Sequence, residues 1–191
     1  MERLEHLSRD RSTSLDQDDD LALAARDDSA AFEAIYVRHT TAVYRYLRTR
    51  TTNEDDAADL TALTFERAWV AIGGYRSGGS GVRAWLLRIA RNAAIDHGRR
   101  RLAAPQPERQ QLRDDGLEVR LVADEDAADL RRRVAMLPAD QRDAIVLRFA
   151  TGLTAREIGT VLGKSEAASQ KLVSRGLASL REAYDVRPTG R

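Results

Sequence analysis

The 191-residue chain contains no cysteine. That excludes a disulfide framework, a thiolate zinc site and a cysteine nucleophile, and it fits a reducing compartment. Histidine is nearly as scarce: His6, His39 and His97 are too scattered to suggest a ligand set, so neither metal nor cofactor is expected. No stretch approaches the roughly 20 apolar residues that span a bilayer. The amino terminus MERLEHLSRDRSTSLDQDDD also lacks the apolar core of a secretion signal. The expectation is a soluble, cytoplasmic protein with no membrane insertion. Sustained period-two alternation with β-branched residues is missing too, whereas alanine, leucine and arginine recur at helical spacing. An all-α protein follows.

Whole-chain charge is nearly balanced, with 31 basic and 30 acidic residues, but its distribution is uneven. Residues 1–33 carry four basic and ten acidic groups, residues 74–101 carry seven basic groups and only Asp96, and residues 127–191 hold twelve basic against seven acidic. Between the two positive segments, residues 102–126 have three basic and seven acidic groups. Two positive blocks separated by an acidic one outline a protein that touches phosphates at two places.

Residues 1–17 read as a disordered polar tail and residues 18–101 as a first helical domain. Phe32, Ile35, Tyr36, Val43, Tyr44 and Leu47 define a helical stripe over Ser29 to Arg50, with an interruption expected near His39 to Thr41. Asn53 before Glu54, Asp55 and Asp56 marks the start of a helix running to about Ile72, because carboxylates favour the positive end of the helix dipole. Its apolar residues fall on two stripes, Phe65, Trp69 and Ile72 on one and Leu60, Leu63 and Thr64 on the other, so one can face the domain and the other a partner. Gly73, Gly74 and SGGSG at 77–81 then form a loop. From Val82 to Arg101 a further helix packs Val82, Trp85, Leu86, Ile89 and Ala93 and gathers Arg88, Arg91 and Arg99 on another face. Residues 102–125, with two prolines and a glycine, form a flexible linker to a second domain, 126–186, with a short tail at 187–191.

In that second domain, LTAREIGTVLGKSEAASQKLVSRGL at 153–177 reads as a helix-turn-helix. Ile158 and Leu162 pack the first helix, Gly159 is small at the crossing and Gly163 permits the turn. Ser165 can cap the second helix, and Val173, Leu177 and Leu180 bury one of its sides. Ala167, Ala168, Gln170, Lys171, Ser174 and Arg175 are left facing outward, short at the helix start and basic further on, as entry into a DNA major groove requires.

Together these segments resemble the extracytoplasmic-function (ECF) branch of the sigma-70 family. VAMLPADQRDAIVLRFATGLTAREIGTVLGKSEAA looks like sigma region 4, DDAADLTALTFERAW like the part of region 2 that docks on polymerase, and GVRAWLLRIARNAAIDHGRRR like the part that opens the minus-ten element. The resemblance implies a non-catalytic sigma factor whose partners are core RNA polymerase, at its clamp helices and flap, promoter DNA and an anti-sigma factor. It implies that Asp56, Asp59, Leu60, Thr61, Leu63 and Arg67 contact the clamp helices. It implies minus-ten contact by Asn92, Asp96, His97, Arg99 and Arg100, with Arg83, Arg88 and Arg91 aiding strand separation and the loop around Asp96 to Gly98 receiving an extruded base. Trp85 is expected to pack rather than wedge. Minus-thirty-five contact falls to Ser165, Ala167, Ala168, Gln170, Lys171, Ser174 and Arg175.

The chain departs from the family pattern where Ala62 and Leu63 replace a usual Gln-Glu pair, where Ser169 replaces an apolar β-branched residue and where Gln170 replaces lysine. Ser169 is expected to loosen local packing. The acidic segment before residue 20 lies outside the family core and has no assigned role. The principal alternative is a conventional helix-turn-helix regulator acting without core polymerase. A nuclease built on Asp55, Asp56 and Asp59 is disfavoured because helix-start carboxylates explain those residues, and a sigma-mimicking antagonist would not need the arginine face.

Overall fold

A computed structural model of the protein describes residues 17–78, 80–103 and 125–185, and among them every regular element is helical. The expected tails at 1–16 and 187–191 and most of the expected linker, 104–124, lie outside the described residues. A first helix, α1, covers 17–24, so residue 17 belongs to the fold. Helix α2, Ser29–Arg48, starts where the Asp28 side chain accepts from the Ala30 N–H at 2.8 Å. It runs without the interruption expected at His39 to Thr41. The stretch contains no glycine or proline, His39 falls on the buried stripe between Ile35 and Val43, and the Thr40 hydroxyl donates back to the Tyr36 carbonyl at 2.5 Å.

Helix α3, Glu54–Ala71, opens at Asn53, whose side chain accepts from the Asp56 N–H at 2.7 Å, and ends in a single 3₁₀ turn, Ile72–Gly74. Thr61 and Thr64 are buried, but their hydroxyls donate to the Ala57 and Leu60 carbonyls at 2.7 and 2.6 Å, so no polar atom is stranded. Helix α4, Gly81–Ala103, buries Val82, Ala84, Leu86, Leu87, Ala90 and Ala93, a broader apolar face than the spacing predicts. Residues 96–98 lie within this helix, so there is no loop at Asp96 to Gly98.

The second half comprises α5 (Glu125–Met136), α6 (Ala139–Phe149), α7 (Ala155–Leu162) and α8 (Glu166–Asp185). Pro138 is the N-cap of α6, one residue ahead of its first turn. Thr154 and Glu157 close a reciprocal capping box on α7, and Gly163 ends that helix at φ 67°, a left-handed conformation that a side chain would strain. Ser165 caps α8 by accepting from the Ala168 N–H at 3.2 Å.

The sequence suggests two modules on a tether, yet the described helices of the two halves pack on one another. Helix α4 lies against α7, and one buried cluster runs from Ile35, Leu47 and Leu86 into Leu147, Leu153 and Ile158. At its edge sits Asp143 of α6, 1% exposed, clasped by Arg50 from the end of α2 and by Arg91 Nε of α4 at 3.1 Å. Ser80 and Thr160 hydroxyls meet across the same junction at 2.7 Å.

Candidate nucleic-acid interface

The helix-turn-helix owes its shape to two close approaches. A Cβ on Gly159 would come within 2.6 Å of the Lys164 carbonyl oxygen, so only glycine lets α7 cross the turn this tightly. Opposite it, Ser169 is fully buried and its hydroxyl donates to the Ser165 carbonyl at 3.0 Å. The expected loosening at Ser169 is therefore corrected: a compact, internally satisfied side chain fits where the helices meet. Outside this contact, Ser165, Ala167, Gln170, Lys171, Ser174 and Arg175 are exposed and Ala168 is half-buried, so the whole expected recognition set shares one open face of α8.

The expected minus-ten set divides. Arg88, Asn92, Arg99 and Arg100 are exposed on α4. Arg91 does not join Arg88 and Arg99 as expected, because its guanidinium turns to Asp143 and approaches Asp140 at 3.9 Å. Arg83 lies on the side of α4 near His39, whose pKa is lowered by burial, with Asp18 opposing and Arg83 and Arg38 reinforcing that shift.

Asp96 and His97 face α3. Arg67 pairs with Asp96 at 3.3 Å, and Asp56 lies 3.5 Å from both His97 and Arg101. Asp56, Arg67, Asp96 and His97, with Asp59, Leu63 and Arg100, line a groove of about 160 Å³ between α3 and α4. The residues assigned to polymerase and to the minus-ten strand therefore meet in one groove. Leu60, 4% exposed, still lines this groove, whereas Thr61, 5% exposed, does not. Ala62 is exposed and Leu63 half-buried, so the departure from Gln-Glu gives this face less polar character.

A second cavity, about 350 Å³, was not foreseen. It opens where the glycine-rich loop meets the first turns of α4 and is lined by Tyr75, Arg76, Ser80, Trp85 and Arg88, with Thr160 from α7 on its rim. Trp85 is half-buried and packs edge-on against Tyr75, with centroids 5.2 Å apart, so it packs as expected while walling the cavity. Aromatic rings beside two guanidiniums suit a base and its phosphate, by stacking and by charge. Periodicity missed this site because it belongs to a loop; an arginine set among glycines, Arg76, was the only available signal. Among the described residues no cluster of metal-ligating side chains occurs, and no helix is long and apolar enough to cross a membrane.

Residues 35–103 match the family model Sigma-70 region 2, and residues 127–180 match Sigma-70, region 4. The ECF RNA polymerase sigma factor BldN of Streptomyces coelicolor is 33% identical over 159 residues, covering 78% of this chain and 59% of BldN. RNA polymerase sigma factor CarQ of Myxococcus xanthus is 32% identical over 159 residues, covering 80% of this chain and 88% of CarQ. The chain spans 59–63% of the length of three of the curated relatives it matches, BldN among them. A solved structure of CnrH in complex with the cytosolic domain of CnrY superposes with a TM-score of 0.69 at 26% identity, covering 89% of this chain and 98% of that one. With region 2 and region 4 matched in order, and with likeness to CarQ along most of its length, the chain belongs to the ECF branch of the sigma-70 family.

Proposed function

We propose that this chain binds core RNA polymerase and directs promoter-specific initiation, without enzymatic activity of its own. The observation that carries the reading is the state of the two matched regions: packed on a buried cluster that runs through both, each leaves open groups that DNA contact needs. On α8 these are Gln170, Lys171, Ser174 and Arg175, suited to duplex DNA at the minus-thirty-five position. Around the loop cavity and α4 they are Trp85, Arg76, Arg88, Asn92, Arg99 and Arg100, suited to an unpaired minus-ten strand. Unstacking a base costs a few kcal/mol per step, which a cavity of rings and cations recovers by binding what has been extruded. Asp56, Asp59, Leu63 and Arg67, along the groove between α3 and α4, supply a mixed charged and apolar surface for the clamp helices.

The complex of CnrH with the cytosolic domain of CnrY supports regulation by a protein partner, and we assign an anti-sigma factor to that role here. The test is run-off transcription from genomic fragments with core polymerase. Initiation at discrete start sites only when chain and core are both present is the expected result. Tight, sequence-specific duplex binding by the chain alone, without initiation, would favour a conventional regulator.

A further inference from the structure

Helix α1 precedes the matched region, which begins at residue 35, and carries three consecutive aspartates, Asp18 to Asp20, of which the first two reach other elements. Asp18 fastens the helix to α2: Arg38 donates to Oδ1 at 2.8 Å and His39 Nε2 lies 3.2 Å from Oδ2. Asp19 reaches the other way. Its Oδ1 accepts from the Val82 N–H at 3.1 Å and from the Tyr75 hydroxyl, and its Oδ2 accepts from the Ser77 hydroxyl at 2.5 Å. Arg26, just after α1, donates to the Tyr75 carbonyl at 2.5 Å. The same short stretch of chain thus grips the hydroxyl and the carbonyl of Tyr75, the first turn of α4 and the middle of the loop.

That loop has little stiffness of its own. Gly74, Gly78 and Gly81 give it many accessible backbone states, so an external anchor must select one. Tyr75 passes the constraint on, because its ring packs against Trp85, a wall of the cavity that also holds Arg76 and Arg88. A charged acceptor suits the task, since hydrogen bonds to an ionised carboxylate are shorter and stronger than neutral ones.

We propose that Asp19 is a positioning residue for promoter opening, holding the glycine-rich loop and the start of α4 so that the Trp85, Arg76 and Arg88 cavity is preformed for an unpaired nucleotide. Asp19 itself touches no nucleic acid. The role rests on the sigma-factor reading above, and it gives the acidic segment a purpose.

The experiment compares the full-length unaltered chain with Asp19→Ala and Asp19→Asn, each with core polymerase, on one promoter recovered by run-off transcription with the unaltered chain. The promoter is offered as full duplex and with its minus-ten bases already unpaired by mismatches. Asp19→Ala is expected to lower initiation from the duplex by about tenfold, the scale of losing a charge-assisted hydrogen-bond set. Core affinity should be unchanged, and the pre-opened template should restore initiation. Asp19→Asn keeps an acceptor for Val82 without the charge and should fall between. Undiminished initiation from the duplex by both variants, an equal deficit on both templates, or loss of core binding overturns the proposal. If the unaltered chain initiates nowhere, the sigma-factor reading falls and the role falls with it.

Discussion

Replacing Gly159 by alanine tests how tightly the DNA-binding hairpin is closed. The added methyl would sit 2.6 Å from the Lys164 backbone oxygen and 3.4 Å from Ser169 Oγ. The hydroxyl can accommodate it; the carbonyl cannot swing aside, because Lys164 N–H is already bonded to the Gly159 carbonyl at 2.9 Å and fixes the turn. The turn must retreat by several tenths of an ångström, an overpacking that costs about 1–3 kcal/mol. Alanine recovers up to about 1 kcal/mol through its better helix propensity. Set against the full propensity gain, the net loss is at most about 2 kcal/mol, which lowers Tm by up to roughly 8 °C in a chain of this size. Gly98 provides a control of opposite sign: it lies inside α4, and a Cβ there meets nothing within 4 Å. Gly98→Ala should raise Tm by about as much as the propensity gain allows. Thermal unfolding followed by circular dichroism reads both, and run-off transcription reads whether tilting α8 also displaces Lys171 and Arg175. A Gly159→Ala protein that gains as much stability as Gly98→Ala would refute the tight crossing.

Three further outcomes are expected. Burial lowers the His39 pKa below its ordinary 6.5, so the unfolded chain binds a proton that the folded one resists; stability is complete above that value and falls as pH drops through it. Unfolding midpoints should decline from about pH 7.5 to 5.5 in the unaltered chain and less steeply in His39→Gln, and parallel declines would contradict this. Lys171→Ala and Arg175→Ala should each remove about one unit from the slope of log affinity against log salt, measured for the polymerase-bound chain on promoter DNA; an unchanged slope would place those side chains off the phosphates. Asp59 is exposed, so Asp59→Lys should change unfolding stability by no more than about 0.5 kcal/mol while weakening co-elution with core polymerase, and undiminished co-elution would exclude that face from docking.

Helix starts and stops were legible because capping is local chemistry: Asn53, Thr154, Gly163 and Ser165 each do what their residue type and neighbours imply. The recognition face of α8 was legible for the same reason, since a single helix with one apolar side leaves only one side for DNA. What escaped was contact between distant segments. Periodicity marks Arg91 as polar without revealing that Asp143, 52 residues later, would claim it. His39 looked like an interruption because a histidine among threonines breaks an apolar pattern, although its partner Asp18 makes it a core residue. Asp19 had no assigned role because nothing in its own neighbourhood identifies Tyr75, 56 residues away, as its donor.

The grip of Arg50 and Arg91 on Asp143 ties the two halves of the molecule through charges that a phosphate backbone would also seek. A guanidinium cannot neutralise a carboxylate on α6 and a nucleotide on α4 at once. Nucleic acid that recruits Arg91 must therefore strip Asp143 of one of its two counter-ions, which makes engagement of the template and cohesion of the halves competing claims on a single side chain.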